Sequence, residues 1–380
     1  MRYLERFGIE PHCEPVNPQD LFKELVDTLN KLVILQGESD VAIALWIFHT
    51  YLIEKADQQQ IMPKSPVLSV FSPDKQCGKS TLKEVIAELC PRPELVSDFS
   101  NAVFYRTMEA VQPTMLIDEA DNLPVQNQAL LGILNSGYSP DGVVKRMGGK
   151  TFEDVKSFST WGAKAMFGIG NLPDTLSSRC IHIPLKRKTF GEKITSLREF
   201  KRNTPKAFIV LRQKILRFTL DSKELIANSI PDIPSELSDR AKDCWEPLLM
   251  IANSMGSDIF DVASRAAVLL TPTETNVLNT GVMLLEDILL IFNQTQKDNI
   301  SSQELIYKLT KDETKLWCEY ERYRPISPRQ VADVLRAFSI KPKDIRFNSS
   351  VLKGYEREDF KDAFARYLPQ SATGLQNFHK

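Results

Sequence analysis

The chain has 380 residues, 42% of them hydrophobic and 26% charged, a balance that excludes a disordered chain and suits a globular protein of two or three domains. Its formal net charge of −1 excludes a uniformly basic nucleic-acid binder, although basic residues cluster at 185–202 and between Arg322 and Arg357. Six cysteines and four histidines are scattered singly, so neither a zinc site nor a disulfide framework is signalled. Without an apolar leader or membrane-length apolar run, we expect a protein of the reducing cytoplasm.

The predicted elements fall into blocks along the chain. Helical patterns at 20–35 and 39–56 are followed, from 66 to 185, by short apolar runs that alternate with helical segments, which predicts a parallel α/β sheet. The pattern is helical from 193 to 297, and the later order of helix, helix, strand, strand and helix is that of a winged helix. We therefore expect an N-terminal helical segment at 1–62 that packs on the core, an α/β core at 63–192, a helical lid at 193–297, a winged-helix-like domain at 298–370 and a tail at 371–380.

The stretch SPDKQCGKST at 72–81 ends like a phosphate-binding loop, but Pro73 stands where G-x-x-x-x-G-K-[ST] has its first glycine. In such loops the N–H groups near the helix start hold the β-phosphate, the lysine meets the β- and γ-phosphate oxygens, and the hydroxyl contacts Mg²⁺. These groups lie downstream of Pro73, so the proline removes none of them, while a chance Gly-Lys-Ser helix start remains the alternative. The candidate ATP contacts are Asp74, Lys75, Gln76, Cys77, Gly78, Lys79, Ser80 and Thr81, with Ser80 also on Mg²⁺.

A second motif, TMLIDEAD at 114–121, is an apolar strand that ends in two carboxylates. We expect this strand to pair beside the strand that precedes the loop. Asp118 would then belong to the Mg²⁺ shell, and Glu119 would position and deprotonate the attacking water. Acidic residues also favour a helix start, but the loop upstream favours the catalytic interpretation.

A third apolar strand, AMFGIG, ends just before Asn171, where additional-strand ATPases carry a polar sensor residue. Asn171 would contact the γ-phosphate, although an asparagine also favours a turn before Pro173. Arg179 precedes the next apolar run, on the edge where a neighbouring subunit's nucleotide would lie in a ring. As an arginine finger it predicts a homo-oligomer, with a hexamer favoured; the alternative is a surface ion pair.

The segment 139–162 lies between the acidic motif and the sensor strand. Its glycine pair at 148 and 149 is typical of a hairpin turn, although its charged residues suit a solvated loop equally. In a ring, such an insertion can point into the central pore. The residues that would then contact DNA phosphates are Lys145, Arg146 and Lys150.

The C-terminal pattern offers a second DNA contact. A helix at 328–339, with Ser327 as its cap, would enter a groove, and Lys353 and Tyr355 would lie in the wing. Winged helices also bind proteins, so that alternative stays open. Nine Lys and Arg against three Asp and Glu between 322 and 357 favour DNA.

Taken together, these motifs resemble a family of AAA+-like P-loop ATPases, a domain of unknown function found in phages, plasmids and integrated mobile elements and often fused or adjacent to primase modules. The resemblance spans roughly residues 20–368, and the family's usual loop also has Ser-Pro in place of the first glycine. It rests on SPDKQCGKSTL, FYRTMEAVQPTMLIDEAD, ILNSGY, FGIGNLPDTLSSRCIHIPLKRK, SDRAKDCWEPLLMIAN and LKGYEREDFKDAFARYL.

The resemblance implies a P-loop NTPase fold and an ATPase in mobile-element DNA metabolism, with ATP and Mg²⁺ as cofactors. By position it makes Lys79, Ser80, Asp118 and Glu119 the nucleotide and Mg²⁺ residues and Asn171 the sensor. It also suggests Arg240 as a second sensor arginine, reaching the γ-phosphate from the lid. Pairing of Arg240 with Asp239 or Asp243 is the alternative. The sequence carries no primase module, so we do not expect priming activity from it.

Two classes of function remain open. The first is a ring-forming DNA helicase or translocase that acts on single-stranded or forked DNA, with a primase or another replication protein as a possible partner. The second is a nucleotide-gated switch without unwinding activity: a helicase loader, an assembly factor or an anti-phage defence ATPase. A small-molecule kinase is disfavoured, because kinases place no Asp-Glu pair ahead of a sensor asparagine and an arginine.

Overall fold

A computed structural model describes residues 7–53, 60–72, 77–120, 128–148, 154–169, 172–185, 188, 192–271, 274–312, 315–320, 324–347 and 350–368. The chain divides into two compact units, Met1–Thr271 and Pro272–Lys380. Of the helices described, none combines the length and the apolar character that a membrane crossing requires.

The first unit contains a five-stranded parallel sheet, as the alternating pattern predicted. Along the sheet the strands lie in the order β2-β3-β6-β1-β7. The strands of this unit are β1 (Val67–Ser72), β2 (Pro93–Val96), β3 (Thr114–Ile117), β4 (Val143–Gly148), β5 (Asp154–Ser159), β6 (Lys164–Ile169) and β7 (Cys180–Pro184).

The position of β6 corrects one expectation. We expected β3 to pair directly with β1, but β6 lies between them, and Ala165 of β6 is opposite Leu68 on one side and Leu116 on the other. The residues of β6 from 164 to 168 are buried, which suits a strand with neighbours on both edges and helices on both faces.

The two faces of the sheet are buried in two separate hydrophobic clusters. Successive residues of a strand point to opposite faces, so neighbours in sequence enter different clusters. One cluster contains Leu68, Leu116 and Ala165, and the other contains Val67, Met115 and Met166. Burial on both faces explains why these strands read as continuous apolar runs rather than as alternating patterns.

Helices cover the sheet, and one of them is buried all round. In α2 every residue except Asp40 is buried, as expected for a helix without a polar face. The Trp46 indole N–H of this helix donates to the carbonyl of Pro66, which immediately precedes β1, at 3.0 Å. The helices of this unit are α1 (Pro18–Leu32), α2 (Ser39–Tyr51), α3 (Lys79–Leu89), α4 (Asn101–Val111), α5 (Gln128–Ser136), α6 (Asp174–Ser177), α7 (Leu197–Asn203), α8 (Ala207–Asp221), α9 (Lys223–Ala227), α10 (Asp239–Met255) and α11 (Ser257–Leu270).

Strands β4 and β5 form a separate antiparallel hairpin, which is one of the two alternatives expected for 139–162. Val144 and Phe158 are opposite each other, and the Phe158 ring lies 4.8 Å from that of Tyr105 on α4. This contact fixes one face of the hairpin against α4. The opposite face exposes Met147 and Val155.

The second unit contains a small antiparallel sheet in the order β8-β10-β9, packed with four helices. Ser327 and Gln330 form a capping box at the start of α14, as the Ser-Pro pair predicted. Three residues of 3₁₀ helix follow at 336–338, so α14 itself ends before the predicted residue 339. The elements are α12 (Glu274–Thr295), β8 (Asn299–Ser301), α13 (Ser302–Leu309), α14 (Pro328–Leu335), β9 (Lys343–Phe347), β10 (Ser350–Glu356) and α15 (Lys361–Tyr367).

The long helix α12 belongs to the second unit and not to the helices of the first. Leu284, Leu285 and Phe292 on α12 share a hydrophobic cluster with Phe360. The division between units therefore falls after Thr271, earlier than the boundary we placed after 297.

Candidate functional site

The candidate nucleotide and Mg²⁺ residues meet at one edge of the parallel sheet. Parallel strands end at the same edge, so the loop after β1 and the carboxylates after β3 are brought together although β6 separates the two strands. The loop leads into α3, which begins at Lys79. We call this side the carboxyl edge of the sheet. Three candidate loop residues, Asp74, Lys75 and Gln76, and the sensor candidate Asn171 lie outside the described residues.

Gly78 stands at the start of α3 in a left-handed conformation, with φ of +84°. Glycine adopts this conformation without steric cost, and having no side chain it leaves the space in front of the helix open. A Cβ at this position would also lie 3.5 Å from Cγ1 of Val33. The first turn of α3, with Ser80 and Thr81, therefore presents its N–H groups toward the preceding loop.

A cavity of about 500 Å³ lies beside this helix start. Its size is that of a small-molecule site, and its walls are of two kinds. One wall is polar and comes from the loop and α3; the other is apolar and comes from the end of α1 and from the end of β6. The lining residues are Leu32, Val33, Ile34, Cys77, Gly78, Lys79, Ser80, Thr81, Ile169, Lys188 and Ile194.

Lys79 is positioned by the end of β1. Its Nζ donates a hydrogen bond of 2.5 Å to the hydroxyl of Ser72, the last residue of that strand. This contact holds the ammonium group at the carboxyl edge, next to the cavity that Lys79 lines.

Asp118 follows β3 and forms an ion pair with Lys83 on α3. The Lys83 side chain is 17% exposed and the Asp118 side chain is 32% exposed. The ion pair is therefore only partly shielded from water. Lys83 is one helical turn after Lys79, and both lysines therefore project from the same side of α3. The sequence motifs did not single out Lys83; its spacing from Lys79 is the signal that could have done so.

Glu119 has an unusual backbone conformation for a residue with a side chain. Its φ is +50°, in the left-handed region, which costs roughly 1–3 kcal/mol outside glycine. Hydrogen bonds on either side maintain it: the Glu119 N–H donates to Oδ1 of Asp118 at 3.1 Å, and the Ala120 N–H donates to the carbonyl of Phe167 on β6 at 2.9 Å. The Glu119 side chain is exposed at the carboxyl edge.

Arg179 and Arg240 lie away from this site. Arg179 immediately precedes β7, and its carbonyl accepts from the N–H of Val67, the first residue of β1. It is therefore at the opposite end of the strands, which we call the amino edge. Arg240 is on α10, one turn before Cys244, whose Sγ lies 3.5 Å from the carbonyl of Ser178.

The location of Arg240 corrects the expectation that it reaches the γ-phosphate of its own chain from the lid. Six residues of β1 at roughly 3.3 Å each put the two edges about 17 Å apart, farther than an arginine side chain extends. Arg240 was also considered as a partner of Asp239 or Asp243. Asp239 lies 3.9 Å from Nζ of Lys242 instead.

The basic residues proposed for DNA lie on two separate surfaces. On the hairpin, Lys145 is exposed and Arg146 places its guanidinium carbon 5.3 Å from the ring centroid of Tyr105. Lys150 lies outside the described residues. In the second unit Lys353 is exposed but forms an ion pair of 3.0 Å with Asp344 across β9 and β10.

Tyr355 is a core residue, contrary to the expected place in an exposed wing. It is 1% exposed, and its ring lies 5.8 Å from that of Phe360. Burial raises the pKa of its hydroxyl to about 12. Tyr355 is opposite Ile300 of β8, where helices cover the sheet, whereas Lys353 is opposite Asp344 of β9, beyond that cover. Exposure thus changes along β10 and not between its faces.

A protein family and a curated relative each match about half of the chain. A family described as "Protein of unknown function (DUF3631)" matches residues 184–367, which begin at the last residue of β7 and leave out the loop and both carboxylates. An "Uncharacterized 28.9 kDa protein in xis 5'region" of Saccharopolyspora erythraea is 28% identical over 190 residues, 49% of this chain and 70% of that protein.

Two solved structures align with most of this chain at low sequence identity. One is titled "The A form apo structure of NrS-1 C terminal region-CTR"; it has 11% sequence identity and a TM-score of 0.37. A second, of "NrS-1 C terminal region-CTR(305-718)", has 9% identity and a TM-score of 0.34. In both cases 92% of this chain and 77% of the other chain are covered.

Proposed function

We propose that this chain is a Mg²⁺-dependent ATPase, built as an AAA+-like P-loop NTPase with a helical lid and a C-terminal winged-helix-like domain. It acts on DNA in phage or mobile-element replication as a ring-forming helicase or translocase. One observation carries the proposal: the helix start at 77–81 and the carboxylates Asp118 and Glu119 meet at the carboxyl edge of one parallel sheet, beside a cavity of about 500 Å³. The additional strand between β1 and β3 supports the same interpretation.

ATP binding is assigned to the loop and the start of α3. The N–H groups of the first helical turn, with the positive end of the helix dipole, bind the β-phosphate. Lys79, already directed to the carboxyl edge by Ser72, contacts the β- and γ-phosphate oxygens. The apolar wall that includes Val33 and Ile169 packs against the less polar part of the nucleotide.

The oxygen donors present fit Mg²⁺, which proteins hold through one or two side-chain oxygens together with phosphates and water. Ser80 supplies a hydroxyl and Asp118 a carboxylate, whose charge is compensated by Lys83 in the absence of metal. When bound, Mg²⁺ neutralises charge that develops on the phosphate oxygens during transfer. Lys83 has to release Asp118 for the carboxylate to join the metal shell.

Glu119 is the residue that holds and deprotonates the attacking water. Its carboxylate is exposed, and its strained backbone is held by hydrogen bonds to Asp118 and, through Ala120, to β6. These bonds fix the backbone from which the side chain starts, at the same edge of the sheet as the phosphate site. Strain of this kind clusters at active sites, which agrees with a catalytic role.

The hairpin supports action on DNA. It projects basic residues from a two-stranded ribbon anchored to α4, and DNA phosphates are the partner that such a surface attracts without base specificity. Lys145 and Arg146 are its described basic candidates: Lys145 lies on the face away from α4, and Arg146 on the face that contacts Tyr105 of α4. In the second unit, Lys353 and the helix α14 are a further candidate contact.

The test is ATP hydrolysis by the purified chain with Mg²⁺, with and without single-stranded DNA, followed by unwinding of a tailed duplex. We expect DNA to stimulate hydrolysis and the duplex to be unwound. Glu119→Gln should bind ATP normally but lose roughly 10²-fold or more in kcat, because the base acts in the transition state. Lys201→Gln, on α7, is the matched surface control.

Each other outcome has a defined meaning. Hydrolysis without unwinding would select the nucleotide-gated switch, loader or defence ATPase. Normal turnover by Glu119→Gln would move the base to another residue. A chain that binds no ATP would overturn the proposal as a whole.

A further inference from the structure

A cleft of about 470 Å³ lies on the second unit, between α12 and the stretch from Lys308 to Trp317. Its volume falls within the range of ligand-binding sites. The α12 residues that line the cleft run from Asp287 to Gln294, which is about 10 Å of helix. About three residues of extended chain have this length, so the cleft has the dimensions of a short peptide segment.

The floor of the cleft is built around Asp287. One of its carboxylate oxygens accepts a hydrogen bond of 2.5 Å from Nζ of Lys315, and the other accepts one of 2.6 Å from the indole N–H of Trp317. The bond to Asp287 raises the pKa of Lys315. Both oxygens of Asp287 are therefore engaged within the chain, and Lys315 compensates its charge.

The wall opposite α12 is held together by its own hydrogen bonds. Sγ of Cys318 donates to the carbonyls of Thr310 and Asp312, at 3.2 and 3.1 Å. The Lys315 N–H donates to the Asp312 carbonyl at 3.0 Å. A wall fixed in this way is formed before a ligand arrives, so little ordering opposes binding.

Two further lysines of this wall line the cleft. Lys308 is in the last turn of α13 and is half-buried, and Lys311 follows it and is exposed. Within the described part of the chain neither ammonium group has an ion-pair partner. The wall therefore presents two cations whose charge the fold itself does not compensate.

The α12 side of the cleft is apolar. Leu290 lines it and is 52% exposed, whereas Ile291 and Leu309 are buried beneath. An exposed leucine beside two uncompensated lysines gives the cleft two requirements: negative charge toward one wall and an apolar group toward the other.

A peptide meets both requirements better than a nucleic-acid strand does. Asp312 also lines the cleft, and Asp312 and Glu286 both act on Lys315, so a strand with a charge at every nucleotide would bring phosphates against carboxylates. In an extended peptide, successive side chains point to opposite sides. Alternating acidic and apolar residues would thus direct carboxylates to Lys308 and Lys311 and apolar groups to Leu290.

We propose that this cleft of the second unit is a docking site for a partner protein, which it binds through a short extended segment of alternating acidic and apolar residues. Lys308 and Lys311 pair with the carboxylates, and Leu290 packs against the apolar side chains. The inference goes beyond the proposed function and does not depend on it.

The test uses a fluorescein-labelled peptide DLDLD with a blocked C-terminus, titrated with the full chain and followed by fluorescence anisotropy. We expect saturable binding that is about tenfold or more tighter than binding of two matched peptides. NLNLN keeps the apolar side chains without the charge, and DSDSD keeps the charge without the apolar side chains.

Variants then locate the binding. Lys308→Gln combined with Lys311→Gln should weaken DLDLD binding by about tenfold or more, at roughly fivefold for each lost charge pair, and leave NLNLN binding unchanged. Lys308→Glu combined with Lys311→Glu should prefer KLKLK to DLDLD. The matched control, Lys297→Gln with Lys361→Gln, removes the same charge from lysines that pair with Glu304 and Glu358 and should bind like the parent.

Thermal melts followed by circular dichroism check that the variants fold, and the three-peptide comparison on the parent chain tests the inference without them. Absence of saturable DLDLD binding, equal affinity for DLDLD and NLNLN, or equal losses in the control and the Lys308→Gln, Lys311→Gln variant would overturn it. Displacement of DLDLD by a single-stranded oligonucleotide, with an equal loss of DNA binding in that variant, would assign the cleft to nucleic acid and also overturn it. Failure of the proposed ATPase function is distinct, because it would abolish hydrolysis and leave peptide binding intact.

Discussion

Lys83 is the residue whose contact changes the account of the candidate metal site. It pairs with Asp118, the carboxylate assigned to Mg²⁺, so the site contains a cation of the chain's own. Such a pair compensates the charge of Asp118 while ATP and metal are absent, and it must open when they bind. The ion pair therefore opposes metal binding by the free energy needed to break it.

Lys83→Met should raise the affinity for Mn²⁺, used as a probe in place of Mg²⁺, by about fivefold, the equivalent of about 1 kcal/mol for a partly exposed pair. Methionine keeps the length of the apolar stem but removes the charge. The measurement is a titration of Mn²⁺ by electron paramagnetic resonance with a non-hydrolysable ATP analogue. The control is Lys201→Met, which removes an exposed lysine on α7 that pairs with Glu88 of α3. Weaker binding would mean that Lys83 positions Asp118 for the metal.

At the scale of single elements, β6 begins with a buried lysine. Nζ of Lys164 donates to the carbonyls of Gly137 and Gly162, at 2.8 and 2.6 Å. Burial lowers the pKa of Lys164 from its ordinary value to about 7. The neighbouring His49 is also buried, and its pKa is lowered to about 3, first by burial and then by Lys164. This lysine joins the end of α5 to the start of β6.

The lowered pKa of Lys164 predicts a pH dependence of stability. Above pH 7 the folded chain holds this lysine mainly neutral, whereas the unfolded chain still binds the proton up to about pH 10.5, so the unfolded state binds more protons and stability rises with pH. Between pH 7 and 9 the parent should gain stability relative to Lys164→Met, by at most about 2.7 kcal/mol. Urea unfolding at several pH values measures the difference. A constant difference would show that Lys164 keeps its proton in the fold.

The hairpin is the element on which DNA binding depends in this account. Changing Lys145, Arg146 and Lys150 to Ala should weaken single-stranded DNA binding and lower the slope of log K against log salt by about 2, since each phosphate contact contributes about 0.7 for single strands. ATP hydrolysis without DNA should persist. The matched control removes the same charges elsewhere: Lys201, Lys214 and Arg217, which form ion pairs on helices α7 and α8. An unchanged slope would move the DNA surface to the second unit or exclude it.

Sequence patterns predicted the strands and helices themselves better than they predicted which elements lie next to each other. The apolar runs of β1, β3 and β6 are visible because each is buried on both faces, and the Gly-Lys-Ser helix start and the Asp-Glu pair stand out by residue type. The order of strands is not local information, so the place of β6 between β1 and β3 could not be read from spacing. Tyr355 was misplaced for a similar reason, because its burial depends on which part of β10 the helices cover.

At the scale of the whole molecule, the two edges of the sheet carry different candidate residues. The carboxyl edge carries the proposed ATP site, whereas Arg179 and Arg240 lie toward the amino edge. The family resemblance suggested Arg240 as a lid residue because its motif identifies a helix start but not the direction in which that helix faces. The division into Met1–Thr271 and Pro272–Lys380 was likewise hidden, since the helical pattern continues across it.

The central claim is that the loop and the carboxylates of the first unit form an ATP site although Pro73 replaces a glycine. Isothermal titration of ATP with Mg²⁺ into the parent chain and into Lys79→Ala tests it most directly, with Lys201→Ala as the charge-matched control. We predict one ATP per chain for the parent and the control and no measurable binding for Lys79→Ala, because the ammonium group that meets the β- and γ-phosphates is gone. Equal ATP affinity of the parent and Lys79→Ala would contradict the account.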